Sequence, residues 1–403
     1  MNIPDSIPMT VAFGLDTKPL SITPNISTDH FELERNHIFS HAWLNLGRED
    51  QIPRPGDYFV RELEVLRTSV IVVRGKDGVI RAFHNMCKHR GNKLVGAGEE
   101  KGATKGFSCS FHGWTYNTEG ELIIVPDEDQ FFDFEKCKNG MMPFATEVWE
   151  GLIFINAAPQ ESLTEWLGEI HGQFEGYFTK GDHVASYEAK VKANWKVVLD
   201  AFVEAYHAPF LHGRNYPDAL TGENNPLCHL PLVKLFPRHR MMSIEANSNP
   251  TLSRTEEILL KHVDGVFSAM IKPLDNDSLP PGVNPGRIDN WAFDAYTIFP
   301  NLYLAPMRVF HFVTYHFWPI SHNETLWQTD HYVIPPRNAG ERIALEFSKS
   351  FARDVQREDL ITLENTQSML ESGVMSHMHL SDQEVCVRHG YKVVEDAIAE
   401  GVR

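Results

Sequence analysis

The stretch FSCSFHGWTYNTEGELIIVP, Phe107 to Pro126, decides how this chain is read. It sets Cys109 and His112 two residues apart, followed by Gly113 and Trp114. A thiolate and an imidazole at that spacing form half of a metal site. The other half stands upstream in NMCKHRGNKLV, Asn85 to Val95, where Cys87 and His89 flank one residue. Each pair follows a strand-like run and precedes a glycine, Gly91 or Gly113, that lets a loop turn tightly around a cluster. Two thiolates and two imidazoles suit tetrahedral zinc. A zinc finger, however, brings both cysteines first and both histidines last, whereas each loop here brings one of each. That order matches a two-iron, two-sulfide centre in which Cys87 and Cys109 bind one iron and His89 and His112 the other. Neutral imidazole in place of thiolate removes negative charge and raises the potential, which makes an electron carrier.

The bulk numbers bound the rest. A chain of 403 residues suits two compact units, and 42% apolar with 23% charged residues is a globular composition. A net charge of −17 argues against nucleic acid and anionic membrane surfaces as partners. The N-terminus lacks the basic and apolar regions of a signal peptide, and no run approaches a membrane span. Five scattered cysteines argue against a disulfide framework and for a reducing cytoplasm.

The texture along the chain predicts an α+β protein: a small antiparallel β domain placed before an α/β catalytic domain whose antiparallel sheet is wrapped by helices. Residues 1–40 read as a helical segment packing with the catalytic domain, with Ser27 or Thr28 as a cap. Residues 41–157 hold short β-branched and aromatic runs such as TSVIVVRG and GLIFINA, with hairpin turns at Gly75–Gly78 and Asn117–Gly120. Residues 158–403 are mixed. There ANWKVVLDAFVEAYHA (193–208) has a helical period that Pro209 should end. MRVFHFVTYHFWPI (307–320) and TLWQTDHYVIPP (325–336) alternate as strands, and residues 341–373 read as one or two helices.

With both ligand loops, Arg90, Trp114 and the Gly120–Pro126 segment in view, the small domain resembles the Rieske domain of Rieske non-haem iron oxygenases. More closely, it is similar to the alpha, or oxygenase, subunit of the aromatic-ring-hydroxylating dioxygenase family. The resemblance implies that Trp114 and the Pro126 loop shield the cluster. It extends downstream, where NWKVVLDAFVEAYHAPFLH (194–212) resembles the family's mononuclear-iron motif. By that match His207 and His212 are iron ligands, and Pro209 lets His212 fold back toward His207. Two histidines and one carboxylate on one face leave Fe(II) open positions for O2. REDLITLENTQ (357–367) resembles the family's acidic segment, making Asp359 the third ligand with Glu358, Glu364 and Gln367 as framework. Asp354 and Glu364 compete for that role.

Glu204 matches the family's acid that hydrogen-bonds the first histidine and reaches a cluster histidine of a neighbouring subunit. Asp200, one turn earlier, could bind a polar substrate group or brace the helix, so Glu204 and Asp200 are the candidate catalytic acids. Phe202, Val203, Phe210 and Leu211 are candidates for the substrate pocket, and less surely Phe312 and Phe317.

The resemblance implies a terminal oxygenase that uses O2 to hydroxylate an aromatic or other cyclic organic substrate. The alternative is oxidative demethylation of a methoxyarene or quaternary amine, and a remote one is a pure electron carrier. No dinucleotide fingerprint is present, so NAD(P)H acts only indirectly, through a flavin reductase with or without a ferredoxin. A homotrimer, possibly with a small beta subunit, is also implied. Around the cluster loops, Lys88, Arg90, Lys93, Lys101 and Lys105 outnumber Glu99 and Glu100, a local reversal that could steer an acidic donor.

Overall fold

The computed structural model describes residues 7–214, 218–262, 275–308 and 310–401, without the side chains of 259–262. Two compact units form: residues 39–168, and residues 1–38 with 169–403.

The first unit is built on a seven-stranded antiparallel sheet. In chain order its strands are β1 (Leu44–Arg48), β2 (Asp57–Leu63), β3 (Thr68–Arg74), β4 (Ile80–His84), β5 (Lys101–Ala103), β9 (Pro143–Trp149) and β10 (Leu152–Asn156). Their spatial order is β1-β10-β9-β4-β3-β2-β5. The remaining strands β6 (Phe107–Ser108), β7 (Thr115–Tyr116) and β8 (Leu122–Ile124) make a three-stranded sheet. The turns at Gly75–Gly78 and Asn117–Gly120 close hairpins, with Gly78 and Gly120 donating to the Gly75 and Asn117 carbonyls. The boundary differs from the sequence expectation, because residues 158–168 belong to this unit. Trp43 Nε1 donates to the Glu161 carbonyl at 3.0 Å, and the Leu163 amide to Glu147 at 3.3 Å.

The second unit carries another seven-stranded antiparallel sheet, from β11 (Asp182–Val191), β12 (Leu232–Leu235), β13 (Arg240–Glu245), β14 (Trp291–Ile298), β15 (Leu302–Pro306), β16 (Phe312–Ser321) and β17 (Glu324–Val333), ordered β11-β17-β16-β15-β14-β13-β12. Helix α1 (Thr28–Glu34) is capped by Ser27, whose hydroxyl accepts from the His30 amide. Helices α2 (Trp195–Asp200) and α3 (Ala208–Leu211) are short. Helix α4 (Ala339–Leu370) is a single helix of 32 residues capped by Asn338. Helix α5 (Val385–Gly401) ends the described chain.

Polar ties hold α4 to the sheet edge: the Lys192 amide donates to Glu364 and the Asn194 amide to Gln367, each at 3.1 Å. Glu34 and Lys196 form a fully buried ion pair that joins α1 to α2, and Trp195 Nε1 also donates to Glu34 at 2.8 Å. Removing one partner of such a pair strands a buried charge, so the N-terminal segment is fixed in place beside α2. No helix among the described residues is long and apolar enough to cross a membrane.

Candidate metal centres and the cavity beside them

In the first unit two similar loops bring the four sequence-predicted ligands together. The Gly91 amide donates to the Cys87 carbonyl and the Gly113 amide to the Cys109 carbonyl, each at 2.9 Å. Both glycines have positive φ, 81° and 74°, which a side chain would resist. Asn85 fixes the first loop, since its Oδ1 accepts from the Leu94 and Val95 amides while its Nδ2 donates to Ser69 Oγ and the Val95 carbonyl. Cys87 and Cys109 are buried. Tyr116 lies 3.5 Å from Cys87 Sγ, and Asn92 Nδ2 donates to Cys109 Sγ at 3.7 Å.

Burial opposes ionisation of both thiols. It prevails at Cys87, whereas backbone N–H groups of Phe111 and His112 and the Asn92 amide outweigh it at Cys109. The rings of His89 and His112 are 4.6 Å apart, and Trp114 stacks on His89 at 5.0 Å. His89 Nδ1 is buried with no hydrogen-bond partner among the described residues. An orphaned imidazole lone pair beside two buried thiols is the donor set a cluster with two thiolate and two imidazole ligands needs. The cationic loop is less open than its sequence suggests, because Lys93 pairs with Glu62 at 2.7 Å.

The second site sits where the expected helix fails. Helix α2 stops at Asp200, and residues 201–207 form turns. Pro209 does not end that helix; it begins the next turn, α3. Glu204 keeps the chain from resuming the helix after the break. Its carboxylate accepts from the Tyr206 and His207 amides, competing with the helical bonding pattern. The same carboxylate bonds His207 Nδ1. On the far side of the bend, His212 Nδ1 bonds Glu358 at 2.8 Å. With both Nδ1 atoms held by acids, both Nε2 atoms turn toward Asp359 Oδ1, at 3.9 Å for His207 and 3.5 Å for His212. One donor atom from each of the three residues lies within 4.8 Å of the others.

Asp359 is 2% exposed, and its Oδ1 has no hydrogen-bond partner among the described residues. Burial pushes its carboxyl up to about 7 against the pull of His207. Burial also opposes protonation of His207, but Glu204 and Asp359 outweigh it and raise the pKa. At His212 burial wins over Glu358 and lowers it. A buried, unpaired carboxylate oxygen facing two oriented imidazoles fits a divalent metal, whose charge would offset the burial of Asp359. Of the competing acids, Glu364 is taken by the Lys192 amide, and Asp354 pairs with Arg353 at 2.8 Å.

A cavity of about 170 Å3 opens at the triad. His207, His212 and Asp359 line one wall. Phe202, Phe351, Val355 and Gln356 add helix and turn residues, and Met242, Ile244, Phe293, Tyr303, Val313, Tyr315 and His331 form the sheet wall. Of the sequence candidates, only Phe202 lines this cavity. Val203 is buried elsewhere, Phe312 and Phe317 are fully buried core, and Phe210 is 70% exposed. Leu211 and Asp200 line a second cavity, about 370 Å3, which also reaches Glu204, His207 and Asp359. The Val203 candidate rested on a helical face that the turns after Asp200 rotate away. Most of the missed residues lie on strands, with Met242 and Ile244 at alternate positions of β13 and Val313 and Tyr315 at alternate positions of β16. That signal was present in the sequence, but nothing there says which sheet face meets the triad.

Asp200 is withdrawn from the first cavity altogether. It accepts from the Tyr391 hydroxyl at 3.0 Å. Burial pushes it up to about 7 despite nearby Arg240 and that hydrogen bond. A carboxyl whose folded pKa lies above its unfolded value stabilises fully only below the unfolded pKa, and loses that contribution as pH rises through about 7. Asp200→Asn is therefore expected to flatten the fall in denaturation midpoint between about pH 4 and pH 7. An unchanged profile would show that Asp200 does not titrate in this window.

Residues 178–400 match the family described as ring hydroxylating alpha subunit (catalytic domain), and residues 42–139 match the Rieske [2Fe-2S] domain. The chain belongs to the ring-hydroxylating alpha-subunit family. It is 31% identical over 191 residues to the carnitine monooxygenase oxygenase subunit of Acinetobacter baumannii, a match covering 46% of this chain and 50% of that protein. The chain thus matches about half the length of this curated relative. Among solved structures, naphthalene 1,2-dioxygenase from Rhodococcus sp. bound to indole superposes with a TM-score of 0.75 at 21% identity, over 97% of this chain and 96% of that one. A quaternary ammonium Rieske monooxygenase, studied for carnitine oxidation by gut microbiota and inter-subunit electron transfer, superposes at 0.73 with 20% identity, over 99% of each chain. The ring-hydroxylating family carries a Rieske cluster and mononuclear iron, and both donor sets described above fit these groups.

Proposed function

We propose that this chain is the terminal oxygenase of a multicomponent system. In this reading Cys87, His89, Cys109 and His112 hold the cluster, and His207, His212 and Asp359 hold the iron. When bound, these groups supply single-electron transfer and reductive O2 chemistry. The protein's own part is positional. Glu204 and Glu358 orient the two imidazoles, and the apolar wall excludes water and presents the substrate. Electrons come from NAD(P)H through a flavin reductase, with or without a ferredoxin. The working unit is a homotrimer, with or without a small beta subunit, in which Glu204 faces a cluster histidine of the neighbouring subunit. Five free cysteines suit a reducing cytoplasm.

The substrate is a neutral ring compound. The observation that carries this is the cavity wall: its described lining residues include aromatic and aliphatic side chains but neither lysine nor arginine. A carnitine-like zwitterion would bring a carboxylate that no lysine or arginine of this wall could meet. The size fits one ring, since an apolar cavity of about 150 Å3 takes benzene. Ring hydroxylation and demethylation of a methoxyarene both fit this wall. Product analysis with 18-labelled O2, a matched reductase and added iron separates them. Label retained in a ring hydroxyl or cis-diol is the expected result; formaldehyde with a demethylated arene supports the alternative. Turnover of carnitine but of no arene would overturn the ring reading.

A further inference from the structure

Beyond the triad, one cavity-lining polar group stands out. His331, on β17, is 1% exposed and lines the sheet wall. Its ring packs edge-on against Phe310 at 4.7 Å and Tyr187 at 5.6 Å. Its Nδ1 has no hydrogen-bond partner among the described residues. Burial lowers its pKa to about 4, so the imidazole is neutral at physiological pH; a hydrogen bond to the Ala185 backbone uses its N–H, and the Nδ1 lone pair is left over.

The other polar groups of this wall are mostly spent. Tyr315 accepts from Gln356 Nε2 at 3.1 Å, and Ser348 donates to the Ala344 carbonyl at 2.7 Å. Strand register sets Val313 directly beside His331 and Ala305 beside Val313, neither of which has a side chain able to hydrogen-bond. Burying the Nδ1 lone pair among such neighbours without a partner costs stability unless a ligand satisfies it. The Tyr303 hydroxyl is the remaining competitor: it also lines the cavity and lacks a partner among the described residues. Tyr303 differs in that burial raises its pKa well above 10, so it offers a phenol donor rather than an imidazole lone pair.

We propose that His331 is the specificity-determining residue of the cavity, hydrogen-bonding a neutral hydroxyl-type substituent on a single-ring aromatic substrate. The inference rests on the ring-oxygenase reading and deepens it. A ring anchored by its polar substituent at the sheet wall turns its remaining positions toward the iron side. The absence of lysine and arginine among the described lining residues confines the preference to uncharged substituents.

The test is equilibrium binding of phenol and toluene to the assembled, metal-loaded enzyme under anaerobic conditions. Wild type is expected to bind phenol roughly tenfold tighter than toluene, as one net hydrogen bond allows. His331→Leu should bring that ratio to near one with toluene affinity kept. His331→Asn, which retains a donor and an acceptor, should keep part of the preference. An undiminished ratio in His331→Leu overturns the proposal, and it is also what phenol bound directly to iron would give. Loss of the preference in Tyr303→Phe but not in His331→Leu moves the role to Tyr303 and likewise overturns it. If neither probe binds wild type, this inference and the ring reading fall together. An unchanged ratio alongside labelled ring products overturns this inference alone.

Discussion

Asp359→Ala is expected to strip the mononuclear iron while leaving the cluster's absorbance and reduced-state spin signal in place. The two donor sets lie in separate compact units, so loss at one need not disturb the other. Asp359 supplies the only carboxylate oxygen of the metal-donor group found among the described residues, and that oxygen has no protein partner to hold it otherwise. Without it, two imidazoles alone bind a hard divalent ion weakly. Oxygenated product should fall to background, and metal analysis should show only the cluster's iron per chain. Glu358→Gln is the graded comparison. It keeps the triad but weakens the 2.8 Å bond that orients His212, so iron affinity should drop by roughly 10–100-fold, the usual cost of losing an outer partner. Full iron content in Asp359→Ala would remove this residue from the ligand set. Loss of the cluster signal as well would point to unfolding and call for the milder Asp359→Asn.

Mixed assemblies test the second large effect. One variant lacks cluster ligands (Cys109→Ser with His112→Ala), and the other lacks the iron ligand (Asp359→Ala). Each alone should be inactive. Coexpressed and assembled at random, they should recover about a quarter of wild-type activity if electrons cross from one subunit to the next around a closed ring. Half of the sites keep their iron ligands, and half of those face an intact neighbouring cluster. If each subunit instead served its own iron, the mixture would stay at background. Glu204 is the proposed bridge, because its carboxylate already holds His207 Nδ1 and two backbone amides. Glu204→Gln in the intact chain should slow cluster reoxidation in a single turnover more than it lowers iron content. Equal losses in both would assign Glu204 to iron retention alone.

The two ligand loops were legible because their chemistry is local. Cysteine, histidine and glycine sit at short spacings, and the strands that flank them show their own alternation and turns. His207, His212 and Asp359 were legible only through the resemblance of their segments to the family's iron motif. The conformation leading into the histidines was not. Residues 195–206 carry a helical period, yet the helix stops at Asp200: the Phe202 and Val203 amides tighten onto the Leu199 and Asp200 carbonyls, and the Glu204 carboxylate then takes the Tyr206 and His207 amides. Propensity summed over a window cannot register one side chain capturing two N–H groups. The error then spread to the pocket, since Val203 was assigned to a face of a helix that has already ended.

The sequence by itself determined which atoms can bind metal and that two antiparallel units would present them, because ligand type and side-chain alternation are properties of neighbouring residues. Only the tertiary structure decided that Glu358 orients His212 across 146 residues, that Asp200 bonds Tyr391, and that His331 lines the cavity with Nδ1 unpartnered among the described residues. Each of these depends on which faces of distant elements meet, and that is set by the packing of α4 and the sheet around one core.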